Sequence, residues 1–128
     1  MSKILIDSSA WIEYFAGTQK GAAVQKALRN EPTIYITGFI AAEVCAKFLR
    51  DQQPVEGAVQ ALRSLTQVMN FDLSLGEVAA KLYVSRRKNH NKFGLADAHV
   101  LAVARSVGAK VITCDLDFEG LPDSFVIK

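Results

Sequence analysis

Four acidic residues stand where the surrounding sequence predicts buried structure. Asp7 ends the apolar run Ile4-Leu5-Ile6, and Glu43 is the one charge in Phe39-Ile40-Ala41-Ala42-Glu43-Val44-Cys45-Ala46. Asp97 lies in Gly94-Leu95-Ala96-Asp97-Ala98-His99-Val100-Leu101, and Asp115 follows Val111-Ile112-Thr113-Cys114, with Asp117 two residues further on. Each has an ordinary explanation by itself. Asp7 caps a helix or Asp115 a turn, Asp97 suits the dipole at a helix start, and Lys47 stands four residues after Glu43, the favourable order for a helix-surface pair. Such a pair contributes a few tenths of a kcal/mol, against roughly several kcal/mol to bury an ion in an apolar site. Together the acids are harder to dismiss. Four carboxylates converging to about 5 Å repel by roughly 3 kcal/mol per pair at an effective dielectric of 20. Such a cluster binds protons or a divalent cation. Oxygen ligands without paired His or Cys select a hard ion, Mg²⁺ or Mn²⁺. His99 sits about 200° round the helix from Asp97 and is a poor candidate ligand.

The elements that must position these acids follow from the apolar pattern. The run 4–6 has the length and branching of a strand buried on both faces. Ser8 and Ser9 are the expected caps of a helix carrying Trp11, Ile12 and Phe15 at helical spacing. A second helix is expected over 21–29, with Val24 and Leu28 four apart and Pro32 as its end. The β-branched stretch 33–37 predicts a second strand. Helices are expected over 39–50, opened by Gly38, then over 54–67 and 75–87, with a weak third strand at 68–71. An alanine-rich helix over 94–107 closes at Gly108, and short buried strands fall at 111–113 and 125–127. Strands alternating with helices imply a parallel sheet with helices on both faces, in a single domain over 1–128. A strand that delivers an acid to its carboxyl end is where such sheets place ligands.

Composition narrows the partner. Half the residues are hydrophobic and 22% charged, which excludes a disordered chain. No apolar run reaches transmembrane length, and the start does not read as a signal peptide, so a cytoplasmic protein is expected. Cys45 and Cys114 form no CxxC pair and read as reduced, buried thiols. The net charge of +2 is unevenly spread: residues 86–92 carry four bases and no acid, leaving 11 bases against 13 acids elsewhere. Arg86, Arg87, Lys88 and Lys92 are therefore candidate phosphate contacts, with a solvated helix end as the plainer reading. A hard metal beside such a segment points to chemistry on phosphates.

Asp7-Ser8-Ser9-Ala10-Trp11 after the first strand, a lone Glu43 in the third helix, Gly94-Leu95-Ala96-Asp97-Ala98-His99, and Thr113-Cys114-Asp115-Leu116-Asp117-Phe118 together resemble the PIN-domain ribonucleases, and most of all the VapC-type toxins of toxin–antitoxin pairs. The resemblance runs in order from Ile4 to Phe118. It implies a three-layer α/β/α sandwich with a parallel sheet of four or five strands. It also implies Mg²⁺- or Mn²⁺-dependent RNA cleavage, homodimerisation, and an antitoxin that blocks the site. Asp7, Glu43, Asp97 and Asp115 match the family's acidic quartet, Asp117 a frequent fifth acid, and Ser8 and Thr113 hydroxyls that support metal or substrate. Trp11, Phe15, Val24 and Leu28 are expected either in the core or in a groove for an antitoxin helix. Two other readings compete: a receiver or phosphatase built on similar acids, and an RNA- or antitoxin-binding module without catalysis. A dehalogenase-like phosphatase needs an acid where Ser9 stands, and a receiver needs a lysine after its last strand, whereas Lys110 precedes it.

Overall fold

The computed structural model describes residues 3–31 and 33–128. In order the elements are β1 (Lys3–Ile6), α1 (Ser8–Ala16), α2 (Gln19–Asn30), β2 (Thr33–Thr37), α3 (Gly38–Arg50), α4 (Glu56–Leu65), β3 (Gln67–Met69), α5 (Leu73–Arg87), α6 (Leu95–Ser106), β4 (Lys110–Thr113) and β5 (Ser124–Val126), with a 3₁₀ turn at Leu116–Phe118 before β5. All five strands pair in parallel, in the order β3-β2-β1-β4-β5. Ile4, Leu5 and Ile6 are buried, as a central strand covered on both faces requires.

The chain begins in the middle of the sheet, steps outward through β2 and β3, then returns across it to β4 and β5. Right-handed crossovers place α1 to α4 on one face and α5 with α6 on the other. The packing agrees: α1 touches α2 and α3, α3 touches α4, and α5 packs along α6. This is the expected α/β/α sandwich, with five strands. The direction of travel reverses beside β1, and open α/β sheets place ligands at the carboxyl ends of the strands at such a point. Asp7 and Asp115 leave those two ends.

Several local expectations shift. The third strand lies two residues earlier than 71, at Gln67–Met69, because Thr66 already has extended backbone where a helix was expected to continue. Helix α5 starts at Leu73, two residues early, since Asp72 caps it through the Leu75 N–H at 3.0 Å. Strand β5 is an edge and not a buried strand, with Phe125 54% exposed. Cys45 and Cys114 are half-buried, not buried. Pro32, expected to end the second helix, lies outside the described residues.

The apolar face expected near the site is mostly core. Helix α2 lies so close to α1 that a Cβ at Gly21 would come within 2.2 Å of the Glu13 carbonyl oxygen. Under that packing Trp11 and Val24 are fully buried, while Phe15 and Leu28 are half-buried against the same core. Phe15 stacks on Trp11 at 5.9 Å between ring centroids and meets Phe48 edge-on at 5.6 Å. Trp11 and Val24 therefore cannot anchor a partner helix.

Candidate metal centre

Asp7 does two jobs. It is the N-cap of α1, its Oδ1 accepting from the Ala10 N–H at 3.3 Å, where Ser8 and Ser9 were the expected caps. Its carboxylate is also gripped by hydroxyls: Ser9 donates to Oδ1 at 2.6 Å and Thr113 donates to Oδ2 at 2.7 Å. With both protons directed at Asp7, the 3.2 Å approach of the two hydroxyl oxygens is left as a contact between lone pairs. The oxygens are themselves held, since the Cys114 N–H donates to Ser9 Oγ at 3.0 Å and the Asp115 N–H donates to Thr113 Oγ1 at 2.9 Å. One network thus ties the end of β1 to the end of β4. Burial pushes the Asp7 carboxyl above its usual range, opposed by the Ser9, Thr113 and Ala10 hydrogen bonds.

Asp97, Asp115 and Asp117 make the tightest group: each offers a carboxylate oxygen within 4.8 Å of the other two. Backbone amides aim two of them. The Gly94 N–H donates to Asp97 Oδ2 at 2.8 Å, and the Asp117 N–H donates to Asp115 Oδ1 at 2.9 Å. The trio thus includes the expected fifth acid and not Glu43 or Asp7. Those two remain within electrostatic reach: Asp7 carries a charge that raises both Asp97 and Glu43. Burial raises Glu43 most, while the Ser8 hydroxyl favours its charged form. Ser8 therefore supports Glu43, whereas the hydroxyl that supports Asp7, Ser9, was read only as a cap. Its place directly beyond a strand-ending acid was the available clue.

No basic side chain neutralises these acids among the described residues. Lys47 pairs with Asp51 at 3.1 Å, leaving Glu43 without the surface partner its sequence neighbourhood offered. Arg86 spends Nε and Nη2 on the carbonyl oxygens of Asp117 and Glu119, at 3.2, 2.9 and 2.8 Å, and lies over the Phe93 ring at 5.2 Å. Arg87 donates to the Tyr83 hydroxyl at 2.8 Å. Arg86 is thus committed to holding the turn that carries Asp117, and Arg87 partly to its own helix. Lys88 and Lys92 are exposed. His99 is no ligand: Nε2 meets Thr37 Oγ1 at 2.8 Å, Nδ1 meets the Ala96 carbonyl at 3.0 Å, and burial lowers its pKa.

The donor set fits a hard divalent ion. It is all oxygen, lacks a neutralising base, and is held by backbone and hydroxyl donors that leave carboxylate lone pairs unused. Burial, with the charges of Asp115, Asp7 and Asp117 adding to it, raises Asp97 to about 6 from 3.8. The folded protein therefore holds this proton more readily than the unfolded chain. That contribution to stability is complete below about pH 4 and is lost as pH rises through about 6. Asp97→Asn removes the titration while keeping an acceptor for Gly94. Without metal its Tm should exceed the wild-type value by a margin that widens between about pH 4 and pH 7. A margin that narrows over that range would contradict the electrostatic account.

The PIN domain family model matches residues 4–123. A VapC ribonuclease of Mycobacterium bovis is 34% identical over 122 residues, spanning 91% of this chain and 89% of that protein, and ribonuclease VapC11 of Mycobacterium tuberculosis matches to the same extent. Among solved structures, a toxin–antitoxin complex from Klebsiella pneumoniae superposes with TM-score 0.78 at 23% identity, covering 98% of both chains. Mycobacterium tuberculosis VapC20, a sarcin-ricin loop cleaving toxin, superposes with TM-score 0.76 at 20% identity over 98% of this chain and 100% of that one. These two likenesses concern the fold, while the family rests on the model match and on the sequence relatives. The chain belongs to the PIN domain family, among the VapC ribonucleases.

Proposed function

We propose that this chain is a Mg²⁺-dependent endoribonuclease that serves as the toxin of a toxin–antitoxin pair, with Mn²⁺ able to replace Mg²⁺. The observation that carries the reading is the trio Asp97, Asp115 and Asp117, with carboxylate oxygens within 4.8 Å of one another, Asp7 in electrostatic reach of Asp97 and Glu43 in reach of Asp7, and no basic partner among the described residues. Asp7, Asp97, Asp115 and Asp117, with Glu43, would hold the ion. When bound, it neutralises charge on the scissile phosphate and lowers the pKa of water.

The chain's own residues supply orientation. Ser9 and Thr113 fix both oxygens of Asp7, and the amides of Gly94 and Asp117 fix one oxygen each of Asp97 and Asp115. Half-buried Glu43, its pKa raised, is the carboxyl suited to take a proton from attacking water. Lys88 and Lys92, with the Nε and Nη2 donors of Arg87 that its bonds to Tyr83 and Phe93 leave over, would hold neighbouring phosphates; Arg86 acts through the turn it clamps. Water attacks in line, so the 2′-OH takes no part. Incubating the purified protein with single-stranded RNA tests this. Cleavage is expected with Mg²⁺, none in EDTA, and no 2′,3′-cyclic phosphate ends. Cleavage in EDTA, or cyclic ends, would overturn the reading.

The partners follow from the same reading: an RNA substrate, a cognate antitoxin, and a second copy of the chain in a homodimer, in the cytoplasm. No helix among the described residues is long and apolar enough to cross a membrane. With Trp11 and Val24 in the core, the groove lined by Ile12, Phe15 and Phe48 is the better seat for an amphipathic antitoxin helix. Ile12→Asp should weaken antitoxin capture and spare RNA cleavage; unchanged capture would move the seat elsewhere.

A further inference from the structure

The helices that carry Glu43 and Asp97 lie on opposite faces of the sheet. Helix α3 packs on α1, α4 and β2, whereas α6 packs on α5, β4 and β1. Among the described residues, one side-chain hydrogen bond joins them: His99, on α6 two residues after Asp97, meets Thr37 at the end of β2, the N-cap of α3. Both partners are buried, His99 at 3% and Thr37 at 1% exposure.

The roles in this bond can be assigned. The Ala96 carbonyl only accepts, so the 3.0 Å contact requires a proton on Nδ1 of His99. In the neutral ring Nε2 is then an acceptor, and the Thr37 hydroxyl donates to it. The same hydroxyl oxygen accepts the Ile40 N–H at 3.2 Å, which caps α3. A chain of three bonds therefore runs from the backbone beside Asp97 to the first turn of the helix bearing Glu43. Phe39 and Phe71 stand edge-on to the imidazole, at 5.3 and 4.8 Å between ring centroids, and shield it from water. The outer faces of these two rings meet solvent, at 51% and 43% exposure, while the imidazole between them does not.

We infer that His99 and Thr37 are positioning residues: their hydrogen bond, kept dry by Phe39 and Phe71, sets the spacing of Glu43 and Asp97 across the carboxyl edge of the sheet and so tunes divalent-ion binding there. The inference rests on the metal-dependent reading of the acidic site. A group that orients ligands without touching the ion acts mainly on metal affinity, and less on the RNA that meets the filled site.

Mn²⁺ binding, read from the free-ion electron paramagnetic resonance signal, separates the possibilities without relying on activity. His99→Phe keeps an aromatic ring but loses the acceptor. It should bind Mn²⁺ about tenfold more weakly than wild type, with KM for RNA unchanged at saturating Mg²⁺. His99→Gln, whose amide oxygen can take the Thr37 proton, should recover most of the loss, and Thr37→Ser should match wild type. Equal Mn²⁺ affinity in His99→Phe and wild type would overturn the inference alone. A wild-type protein that binds no Mn²⁺ would overturn the functional reading beneath it. Should His99→Phe fail to fold, Phe71→Ala opens the bond to water from an exposed position. It should weaken Mn²⁺ binding about twofold, and unchanged affinity in that variant would overturn the inference.

Discussion

Asp7→Asn should lower Mg²⁺-dependent RNA cleavage by about 10³-fold, the scale of roughly 4 kcal/mol of lost transition-state stabilisation, while the metal-free protein keeps or raises its Tm. The two halves of this result have one cause. Asparagine retains an oxygen for Ser9 and the Ala10 N–H, and its amide can donate to Thr113 Oγ1 once that hydroxyl turns. The network between β1 and β4 therefore survives. What disappears is a buried negative charge whose pKa is already raised, chiefly by burial and further by Asp115. Removing it costs the fold little and takes from the proposed cation site a negative charge that reaches Asp97 and Glu43. Addition of Mg²⁺ should raise the wild-type Tm and leave that of Asp7→Asn nearly unmoved. Wild-type cleavage rates in the variant would remove Asp7 from the site. A fall in activity matched by a fall in Tm would make it a structural cap and nothing more.

Glu43→Gln should reduce cleavage by about 30-fold, equivalent to roughly 2 kcal/mol, whereas Lys47→Ala should stay within about twofold of wild type. The contrast matters because the two residues are four apart on α3 and the sequence offers them as an ordinary surface pair. In the fold Lys47 turns to Asp51 instead, an exposed contact of small energetic weight. Glu43 faces Asp7 and the Ser8 hydroxyl, its pKa raised by burial first and by Asp7 second. Glutamine keeps the shape of the side chain but can neither carry charge nor take a proton. Similar small effects for both variants would return Glu43 to the surface-pair reading.

The sheet and its acids were legible for a physical reason. The short runs 4–6, 33–37 and 111–113 are rich in β-branched and apolar residues and carry no charge, as strands of a parallel sheet covered on both faces require. An acid at the end of such a run, or alone on an apolar helix, violates the local pattern, and such violations mark sites. Family membership also sets aside the receiver and phosphatase readings. What stayed hidden depends on contacts between residues far apart in sequence. The Thr113 grip on Asp7, the Arg86 clamp on the Asp117 carbonyl and the His99–Thr37 bond join positions separated by 106, 31 and 62 residues. Periodicity tells which face of an element is buried, not which distant side chain it meets. Arg86 shows the consequence: its charge was visible, but the carbonyls that occupy its donors were not. For Trp11 and Val24 the core and the groove stood open together, since apolar spacing is the same for a core stripe and a docking groove, and burial decides for the core.

The central claim is that these acids hold the divalent ion that cleavage requires. It is tested most directly by following bound Mn²⁺ and RNA cleavage in the same wild-type sample as EDTA is added. Both should fall together, and excess Mg²⁺ should restore cleavage. Cleavage that persists after the last ion has been stripped would contradict the claim.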